Sequence, residues 1–346
     1  MPQERDAARR AERRRRRAWV LLGLATAAAL VAGSALCRPT AARTVRVAAV
    51  DASALAAILR APRGRTVGYD RTYKTDLVER LGEAPECIVL GGSRAQRFEP
   101  SLLRSLTGLS AFNYALQNCR PEDAYAVTRY LYSRAPEVKV HCIYAIQSTT
   151  FSDIDMHPGL LYDARLSAAF PRALVARQKK AQGAATAHSL LSCNTFSARG
   201  CLLWNTYDER EADGRTLAES LSSYLDSLLP RAASTAPVAH SRSRHYFEKL
   251  LALQNAHGVT PLLVIMPYQP SALRAFRSVG WQAKLTRLKR YLRGLHADYE
   301  FRVLDCTLLS TFGGSASAFY DGAHVKVENA RRILRYAVRA APACFR

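Results

Sequence analysis

From Cys87 onward the hydrophobic positions of the chain follow two alternating patterns. Short runs of apolar and β-branched residues are separated by longer stretches in which apolar residues recur every three or four positions. The first pattern is typical of buried strands and the second of amphipathic helices. We predict strands at residues 87–90, 111–114, 138–146, 261–266 and 301–305. We predict helices at residues 100–106, 121–135, 242–257, 283–295 and 325–339.

This alternation of strands and helices predicts an α/β fold. Strands that are connected through helices pair in parallel, and the helices then cover both faces of the sheet. The five strands therefore predict a flavodoxin-like, doubly wound parallel sheet. In that architecture, sites form beyond the carboxyl ends of the strands.

One segment, residues 149–230, interrupts the alternation and is much longer than an ordinary connection. It contains helical patterns at residues 166–180 and 216–229 and a less regular stretch at 194–204. We expect a mostly helical insertion. Long insertions at this face of the fold often contact the site, so we interpret the segment as a lid or a substrate-facing element. An inert structural excursion is the alternative.

The amino-terminal part of the chain has the composition of a membrane anchor. Residues 18–37 carry no charge, and a helix of that length spans about 30 Å, which is enough to cross a bilayer. The arginine-rich residues 1–17 precede this stretch, and basic residues favour the cytoplasmic side. A cleaved secretory signal peptide is the alternative, with the small residues at 32–35 as its cleavage site.

The predicted organisation is that of a single-pass protein of the cell membrane with an extracytoplasmic domain. A cytoplasmic tail (1–17) precedes a transmembrane helix (18–37), and a linker (38–84) leads into the folded domain (85–346). The linker contains two short helical patterns, at residues 53–60 and 75–81.

The sequence is strongly basic, with a formal net charge of +22. Residues 1–17 contain eight arginines and three acidic residues, which leaves +17 for the remainder. Such an excess suits an anionic environment such as wall polymer, acidic polysaccharide or lipid headgroups. A genome whose base composition favours alanine and arginine is the alternative explanation. Because the domain is predicted to lie outside the cell, we expect no nucleic-acid partner.

The eight cysteines raise the question of disulfide bonds in an exported protein. Cys193 and Cys201 lie close together in a polar region and are the best candidate pair. Cys87, Cys142 and Cys306 lie in or beside predicted strands, which is typical of buried apolar cysteines. The sequence has no Cys-x-x-Cys pair and no histidines at metal-ligand spacing, so we predict no metal site. It also lacks a glycine-rich phosphate loop, so we predict no cofactor.

Two short segments carry the residue types of a nucleophilic site. Ser93 follows the first predicted strand, and Asp321 and His324 lie three residues apart before the last predicted helix. A serine nucleophile, a histidine base and an aspartate that orients the histidine form a set that transfers acyl groups. An ordinary tight turn at Ser93 is the alternative. Asp305, at the end of the fifth strand, is another candidate partner for the histidine, and Asp321 would then cap the last helix.

Both segments are similar to motifs of one enzyme family. Residues 91–94 (Gly-Gly-Ser-Arg) resemble the first block of the SGNH or GDSL hydrolase superfamily, and residues 321–324 (Asp-Gly-Ala-His) resemble its last block. The resemblance extends from about residue 87 to residue 339. It implies an SGNH-type domain in which Ser93, His324 and Asp321 are the catalytic residues.

The middle blocks differ from the family pattern. The second block normally supplies a glycine amide to the oxyanion hole, whereas this chain has Asn118 near that place, with Asn113 earlier in the same segment. The third block is normally Gly-x-Asn-Asp, whereas residues 145–148 are Ala-Ile-Gln-Ser. Asn118, Asn113 and Gln147 are therefore the candidate oxyanion donors, together with the Ser93 amide.

Two further residues are candidates for substrate binding. Arg94 follows the proposed nucleophile and would bind an anionic polymer, with a solvated arginine as the alternative. Tyr268 follows the fourth predicted strand and would lie at the rim of the site, with a packing tyrosine as the alternative.

An amino-terminal anchor, an exported SGNH-like domain and a long insertion together resemble the organisation of alginate O-acetyltransferases and of the D-alanyl transfer protein of lipoteichoic acid synthesis. The resemblance implies a membrane-anchored serine esterase or acyltransferase that acts on an acyl group of an envelope glycan or related polymer. It also implies an acyl donor and a membrane-bound acyltransferase as partners. A catalytically degenerate scaffold or binding component of a polysaccharide modification or export complex is the alternative, because the middle blocks are altered.

Overall fold

The computed structural model describes residues 66–68, 70–151, 155–182, 192–234 and 241–346. The strands are β1 (Thr66–Gly68), β2 (Cys87–Gly91), β3 (Ala111–Asn113), β4 (His141–Ile146), β5 (Ser192–Phe196), β6 (Leu202–Trp204), β7 (Leu262–Ile265) and β8 (Arg302–Asp305). The helices are α1 (Asp70–Glu79), α2 (Pro100–Thr107), α3 (Pro121–Arg134), α4 (Pro158–Tyr162), α5 (Ala164–Ser167), α6 (Arg172–Gln182), α7 (Thr206–Ala212), α8 (Leu217–Ser234), α9 (Ser241–Ala256), α10 (Pro270–Ser278), α11 (Trp281–Leu295), α12 (Leu309–Phe312) and α13 (Val327–Ala340).

Five of the strands form one parallel sheet in the order β3-β2-β4-β7-β8. In the register of this sheet, Cys87 of β2 lies opposite Ala111 of β3 and His141 of β4. The predicted five-stranded parallel sheet is confirmed, and its strand order is that of flavodoxin-like doubly wound sheets. The chain reverses its direction across the sheet between β2 and β4, so a crevice opens beyond the carboxyl ends of these two strands.

Apolar side chains cover both faces of this sheet. Alternate residues of a strand point to opposite faces. Ile88 and Leu90 of β2 pack in a core with residues of α3, α9 and α11, whereas Cys87 and Val89 pack in a second core with residues of α2 and α13. Because helices cover both faces, β2, β4 and β7 are buried along their whole length.

The insertion at residues 149–230 contains helices and a β-hairpin. The predicted helix at 166–180 is divided into α5 and α6 by Pro171, because proline disfavours the helical conformation in the residue before it. The predicted helix at 216–229 corresponds to α8. The irregular stretch at 194–204 is the hairpin β5–β6, which joins β1 in a second, antiparallel sheet of order β1-β5-β6.

Several helices differ from the sequence prediction, among them α1 and α10, whereas the short helices α4, α7 and α12 have no predicted counterpart. The helix predicted at 75–81 is α1, which begins earlier, at Asp70. Its first turns carry buried charged residues, which a hydrophobic pattern does not register. The helix α10 is absent from the sequence prediction. It begins at Pro270, since proline is favoured in the first turn of a helix, and the Gln269 side chain caps it.

The predicted tail, transmembrane helix and first linker helix, at residues 1–17, 18–37 and 53–60, lie outside the described residues. Within the part of the chain that the structure describes, no helix combines the length and the hydropathy that a membrane crossing requires.

Cys201 is a free thiol, so the predicted Cys193–Cys201 disulfide is wrong. The amide of Ser197 donates to the carbonyl of Cys201, which places Cys201 opposite the end of β5. Cys193 lies further back along β5, and a strand rises about 3.3 Å per residue, so the hairpin separates the two cysteines by more than a disulfide allows. Cys87, Cys142 and Cys306 are buried thiols, as predicted.

Candidate active site

Ser93 lies at the carboxyl end of β2, beside the end of β4. The two strands approach closely there, because a Cβ atom on Gly91 would lie 2.7 Å from the carbonyl oxygen of Ala145. Gly91 has a φ of +136°, which residues with a Cβ atom rarely adopt. The chain then passes through Gly92 into a short 3-10 turn, Ser93–Ala95. Gly91 therefore allows β2 to end beside β4. Ser93 follows at the position in the sheet where the order of the strands reverses.

Ser93, His324 and Asp321 form a hydrogen-bonded chain. Ser93 Oγ lies 2.9 Å from His324 Nε2. His324 Nδ1 lies 3.0 Å and 2.8 Å from the two carboxylate oxygens of Asp321. The structure thus brings together the three residues from the two ends of the folded domain, in the geometry that a nucleophile, a general base and an orienting acid require.

Asp321 fixes the tautomer of His324. Its carboxylate also accepts hydrogen bonds from the amides of Ala323 and His324, each at 2.8 Å. Burial alone would raise the pKa of Asp321, but the adjacent His324 and these hydrogen bonds outweigh burial and leave the pKa below its ordinary value. An ionised carboxylate only accepts hydrogen bonds, so Nδ1 of His324 carries the hydrogen and Nε2 presents its lone pair to Ser93.

The alternative partner, Asp305, lies elsewhere. Its carboxylate accepts a hydrogen bond from the amide of Thr307 at 3.0 Å and forms an ion pair with Lys289. Asp321 does not cap the last helix, because α13 begins only after Lys326. The structure therefore places Asp321, and not Asp305, against His324.

Asn118 lies in the loop that follows β3. Its φ of +52° is in the left-handed region, which asparagine tolerates better than most residues with a Cβ atom. The loop is tied to the end of β2, because the amide of Leu116 donates to the carbonyl of Gly91 at 2.8 Å. Asparagine thus occupies a backbone conformation that glycine would also adopt, close to the turn that carries Ser93.

Asn113 is committed to structural hydrogen bonds. Its Nδ2 atom lies 2.9, 3.1 and 2.8 Å from the carbonyl oxygens of Ala95, Gln96 and Phe98. A carboxamide has two hydrogens, and both are used here. Asn113 therefore holds the turn after Ser93, and its side chain has no hydrogen left for an oxyanion.

Buried charges of α1 hold the loop that carries Asn118. Asp70 accepts a hydrogen bond from the amide of Gln117 at 2.5 Å, and Arg71 donates to the carbonyl of the same residue at 3.1 Å. Arg71 is in turn fixed by two hydrogen bonds to Asp123, at 2.7 Å and 3.0 Å. Sequence reasoning missed these residues, because charged residues in a helix usually face solvent.

Lys74 of α1 contributes a third buried charge. Its Nζ donates to the carbonyls of Ala115 and Asn113, at 2.6 Å and 3.0 Å, and lies 4.6 Å from the ring centre of Phe196. Burial lowers the pKa of Lys74 to about 7, although Asp70 opposes the shift. The helix α1 therefore determines the path of the chain between β3 and Asn118 through hydrogen bonds to its backbone.

Gln147 directly follows β4, at the same edge of the sheet as the turn that carries Ser93. It comes two residues after Ala145, which the register pairs with Gly91 at the end of β2. The Gln147 side chain is half-buried, and its Oε1 accepts a hydrogen bond from Arg94 Nη1 at 2.9 Å.

Arg94 and Tyr268 are buried together. Arg94 is 5% exposed, and its guanidinium carbon lies 4.2 Å from the ring centre of Tyr268. Tyr268 packs in turn against Phe276 and Trp281, with ring centres 5.2 Å and 5.6 Å away. The structure therefore places both residues beneath the surface of the site and not at its rim.

Two tyrosines of the insertion reach His324, and sequence reasoning identified neither. Tyr207 of α7 has its hydroxyl 3.3 Å from His324 Nε2 and its ring centre 4.5 Å from the imidazole. The ring of Tyr224 in α8 lies edge to face against the imidazole of His324, with the ring centres 6.5 Å apart. It also packs on Gly322, where a Cβ atom would lie 2.3 Å from its ring. The length of the insertion was the sequence signal that pointed to such contacts.

Arg97 and Tyr320 hold α7 against the site. The Tyr320 hydroxyl donates to Asp208 of α7 at 2.6 Å, and Arg97 forms an ion pair with the same carboxylate. The rings of Tyr320 and Tyr207 stack at 5.8 Å. The insertion is therefore fastened beside the hydrogen-bonded chain and covers part of it.

Within the described residues, no group of three or more His, Cys, Asp or Glu side chains is arranged to hold a metal ion. The side chains of the site supply a serine that can attack, a histidine that can accept its proton, and a carboxylate that orients the histidine.

No protein-family profile matches the chain, and no curated protein matches it either. Among solved structures, the chain is similar to a protein from Bacteroides fragilis that is provisionally named an acylhydrolase. The two share 11% sequence identity with a TM-score of 0.36, and the match covers 79% of this chain and 97% of the other.

Proposed function

We propose that the chain is an SGNH-type serine esterase or acyltransferase that works through a covalent acyl group on Ser93. One observation carries the proposal. Ser93 Oγ lies 2.9 Å from His324 Nε2, and the other ring nitrogen of His324 lies 2.8 Å from a carboxylate oxygen of Asp321. Each of the three residues is thereby within hydrogen-bond reach of the group with which it would exchange or share a proton.

In the first step, Ser93 Oγ attacks the carbonyl carbon of an acyl ester, and its proton passes to Nε2 of His324. The ionised Asp321 stabilises the imidazolium that forms. The carbon–oxygen bond to the leaving group then breaks, and His324 returns the proton to the leaving oxygen. The product of this step is an acyl-serine and a free alcohol.

In the second step, a hydroxyl group attacks the acyl-serine. His324 takes the proton of the attacking group, and Ser93 leaves with a proton from His324. Water as the attacking group gives hydrolysis, and a sugar hydroxyl gives transfer. The residues of the site serve both reactions, so the acceptor that reaches Ser93 decides between them.

The oxyanion of each step requires hydrogen-bond donors near Ser93. We assign this role to the amide of Ser93, the amide of Asn118 and Nε2 of Gln147. Asn118 is supported by its glycine-like backbone conformation. Gln147 is supported by its place after β4 and by its hydrogen bond to Arg94, the residue that follows Ser93. Asn113 is left out, because its carboxamide hydrogens are used within the protein.

We further propose that the domain acts outside the cell membrane, on an envelope glycan or related polymer, and that residues 18–37 anchor it. The support comes from the sequence, namely the uncharged stretch after an arginine-rich tail and the excess of +17 in the rest of the chain. A membrane-bound acyltransferase would supply the acyl donor. Cell fractionation tests the anchor, and analysis of the products from an acetyl donor and a glycan acceptor separates transfer from hydrolysis.

The catalytic part of the proposal is tested by labelling the full chain with a fluorophosphonate probe. We expect labelling of the wild-type chain and none of Ser93→Ala. Ser105→Ala is the matched control, since Ser105 is an exposed serine of α2, and it should label like wild type. A folded wild-type chain that does not label would contradict the proposal.

A non-catalytic scaffold of a polysaccharide modification or export complex is the second candidate. The altered oxyanion region favours it, because Asn113 is committed elsewhere and the Tyr207 hydroxyl lies close to the nitrogen of His324 that faces Ser93. The scaffold is the better account if His324→Ala leaves the cellular phenotype unchanged while deletion of residues 149–230 abolishes it.

A further inference from the structure

Arg94 is a buried cation that has no carboxylate partner among the described residues. It is 5% exposed, and its hydrogen bonds go to neutral groups: the carbonyl of Ala323 at 3.1 Å and Oε1 of Gln147 at 2.9 Å. Its Nη2 is buried and has no hydrogen-bond partner in the described part of the chain. Buried charges are usually paired, because an unpaired one is costly to remove from water. The site therefore holds a positive charge without a permanent counter-charge.

The contact with Arg94 determines which end of the Gln147 carboxamide is free. A guanidinium group can only donate hydrogen bonds, so the oxygen of Gln147 must face Arg94. The NH2 group of Gln147 then points away from Arg94, and its Nε2 makes no hydrogen bond to another described residue. Gln147 thus offers a donor that the protein itself does not use.

The sheet and the contact with Arg94 bring Gln147 to the edge at which the proposed nucleophile lies. Because Gly91 is paired with Ala145, Gln147 and Ser93 leave neighbouring parallel strands at the same level. Both side chains are half-buried, so a substrate can reach them. Arg94 lies on the same turn as Ser93 and is stacked on Tyr268, which keeps its guanidinium group in one place.

We propose that Arg94 positions and polarises Gln147, so that Nε2 of Gln147 donates a charge-assisted hydrogen bond to the oxyanion that forms on attack by Ser93. This inference rests on the proposed function. When the carbonyl oxygen becomes negative, the positive charge of Arg94 attracts it through the Gln147 carboxamide that lies between them. This attraction stabilises the transition state but not the ground state, in which the carbonyl oxygen is neutral. Arg94 is a positioning residue, because it acts through Gln147 and does not touch the substrate.

The same contact explains how glutamine serves at a place where the family pattern has the shorter asparagine. A longer side chain has more rotamers, so its NH2 group would not keep one orientation towards the oxyanion. Arg94 fixes the far end of Gln147, which restores a single orientation.

The contacts of Arg94 to Ala323 and Tyr268 are also those of a purely structural residue, so the test must separate the two roles. Gln147→Glu does so: it keeps a partner for Arg94, now an ion pair, but removes the NH2 donor. For the full chain with p-nitrophenyl acetate, we expect the kcat of Gln147→Glu to fall about 100-fold, the effect of losing one oxyanion donor. We expect KM to change by less than about threefold and the melting temperature not to fall.

Arg94→Ala should lower kcat by about 10-fold to 100-fold, and the double variant Arg94→Ala with Gln147→Glu should be no slower than Gln147→Glu alone, because the two residues act as one unit. A Gln147→Glu variant whose kcat stays within about threefold of wild type, or a double variant whose losses multiply, would overturn the inference. If Arg94→Ala does not fold, Gln147→Glu alone decides. Ser93→Ala is measured in parallel. If Ser93→Ala is inactive while Gln147→Glu keeps its activity, the proposed function stands and only the role of Arg94 and Gln147 is wrong.

Discussion

The hydroxyl of Tyr207 lies 3.3 Å from Nε2 of His324, the same nitrogen that faces Oγ of Ser93. Asp321 keeps the hydrogen on Nδ1, so Nε2 has one lone pair for two hydroxyl groups. Burial raises the pKa of Tyr207 well above its ordinary value, so this hydroxyl keeps its hydrogen at neutral pH. The insertion therefore contributes a group that competes with the nucleophile for its base.

Tyr207→Phe removes this competition and keeps the ring that packs on His324. We expect fluorophosphonate labelling of Ser93 to become about twofold to tenfold faster, the factor that corresponds to one ordinary hydrogen bond. The measurement is the labelling rate under pseudo-first-order conditions. A rate that falls tenfold or more would mean instead that the hydroxyl takes part in the reaction.

Asp321→Asn tests the orientation of His324. The carboxamide of asparagine can donate a hydrogen bond to Nδ1, and the ring hydrogen of His324 then lies on Nε2. The tautomer that presents a lone pair to Ser93 is therefore lost. We expect kcat for an ester probe to fall by about 10³-fold to 10⁴-fold with little change in the fold. Asp305→Asn is the matched control, because Asp305 is the other sequence candidate and binds Thr307 and Lys289. Equal losses in the two variants would contradict the assignment of Asp321.

The buried Lys74 should make the free energy of unfolding depend on pH. Its folded pKa of about 7 lies below its ordinary value of 10.5, so between these values the unfolded chain binds more protons than the folded chain. The free energy of unfolding therefore rises with pH in this window. Lys74→Met lacks this titration. We expect the free energy of unfolding of wild type, minus that of the variant, to increase from pH 7 to pH 10.

Urea denaturation of both proteins at pH 7, 8.5 and 10 measures this difference, and groups common to both cancel. A difference that is independent of pH would show that Lys74 is solvated in solution and does not hold the loop before Asn118 from a buried position.

Gly91→Ala tests the close approach of β2 and β4. The new Cβ atom would lie 2.7 Å from the carbonyl oxygen of Ala145, on a backbone with a φ of +136°. We expect a loss of about 3 kcal/mol or more in the free energy of unfolding, measured by urea denaturation. Gly92→Ala is the control, because its Cβ atom would meet no atom within 4 Å. Similar losses in the two variants would contradict the strand packing described above.

The central sheet could be read from the sequence because four of its five strands, β2, β3, β4 and β7, are buried along their whole length. A run such as residues 87–90 is apolar throughout, and the helices between the strands show the spacing of one buried face. The place of Ser93 follows from the same reasoning, since a parallel sheet gathers the carboxyl ends of its strands at one edge. Asp321 and His324 could be proposed because their spacing is local.

The contacts that surround these residues could not be read in this way. Arg71 and Lys74 look like solvent-facing residues of a helix until the structure pairs them with the loop after β3. Tyr207 reaches His324 through the tertiary placement of the insertion, for which the sequence contains no local signal. Asn113 was a reasonable oxyanion candidate by type, and only its hydrogen-bond partners exclude it.

Peptide mass spectrometry of the full chain after fluorophosphonate treatment shows whether Ser93 is a nucleophile that His324 activates. We expect one modified serine, Ser93, and no modification in Ser93→Ala. We expect His324→Ala to be modified about 100-fold or more slowly, the loss that follows removal of a general base. A folded chain that stays unmodified, or one that is modified at the same rate without His324, would overturn this role of the two residues.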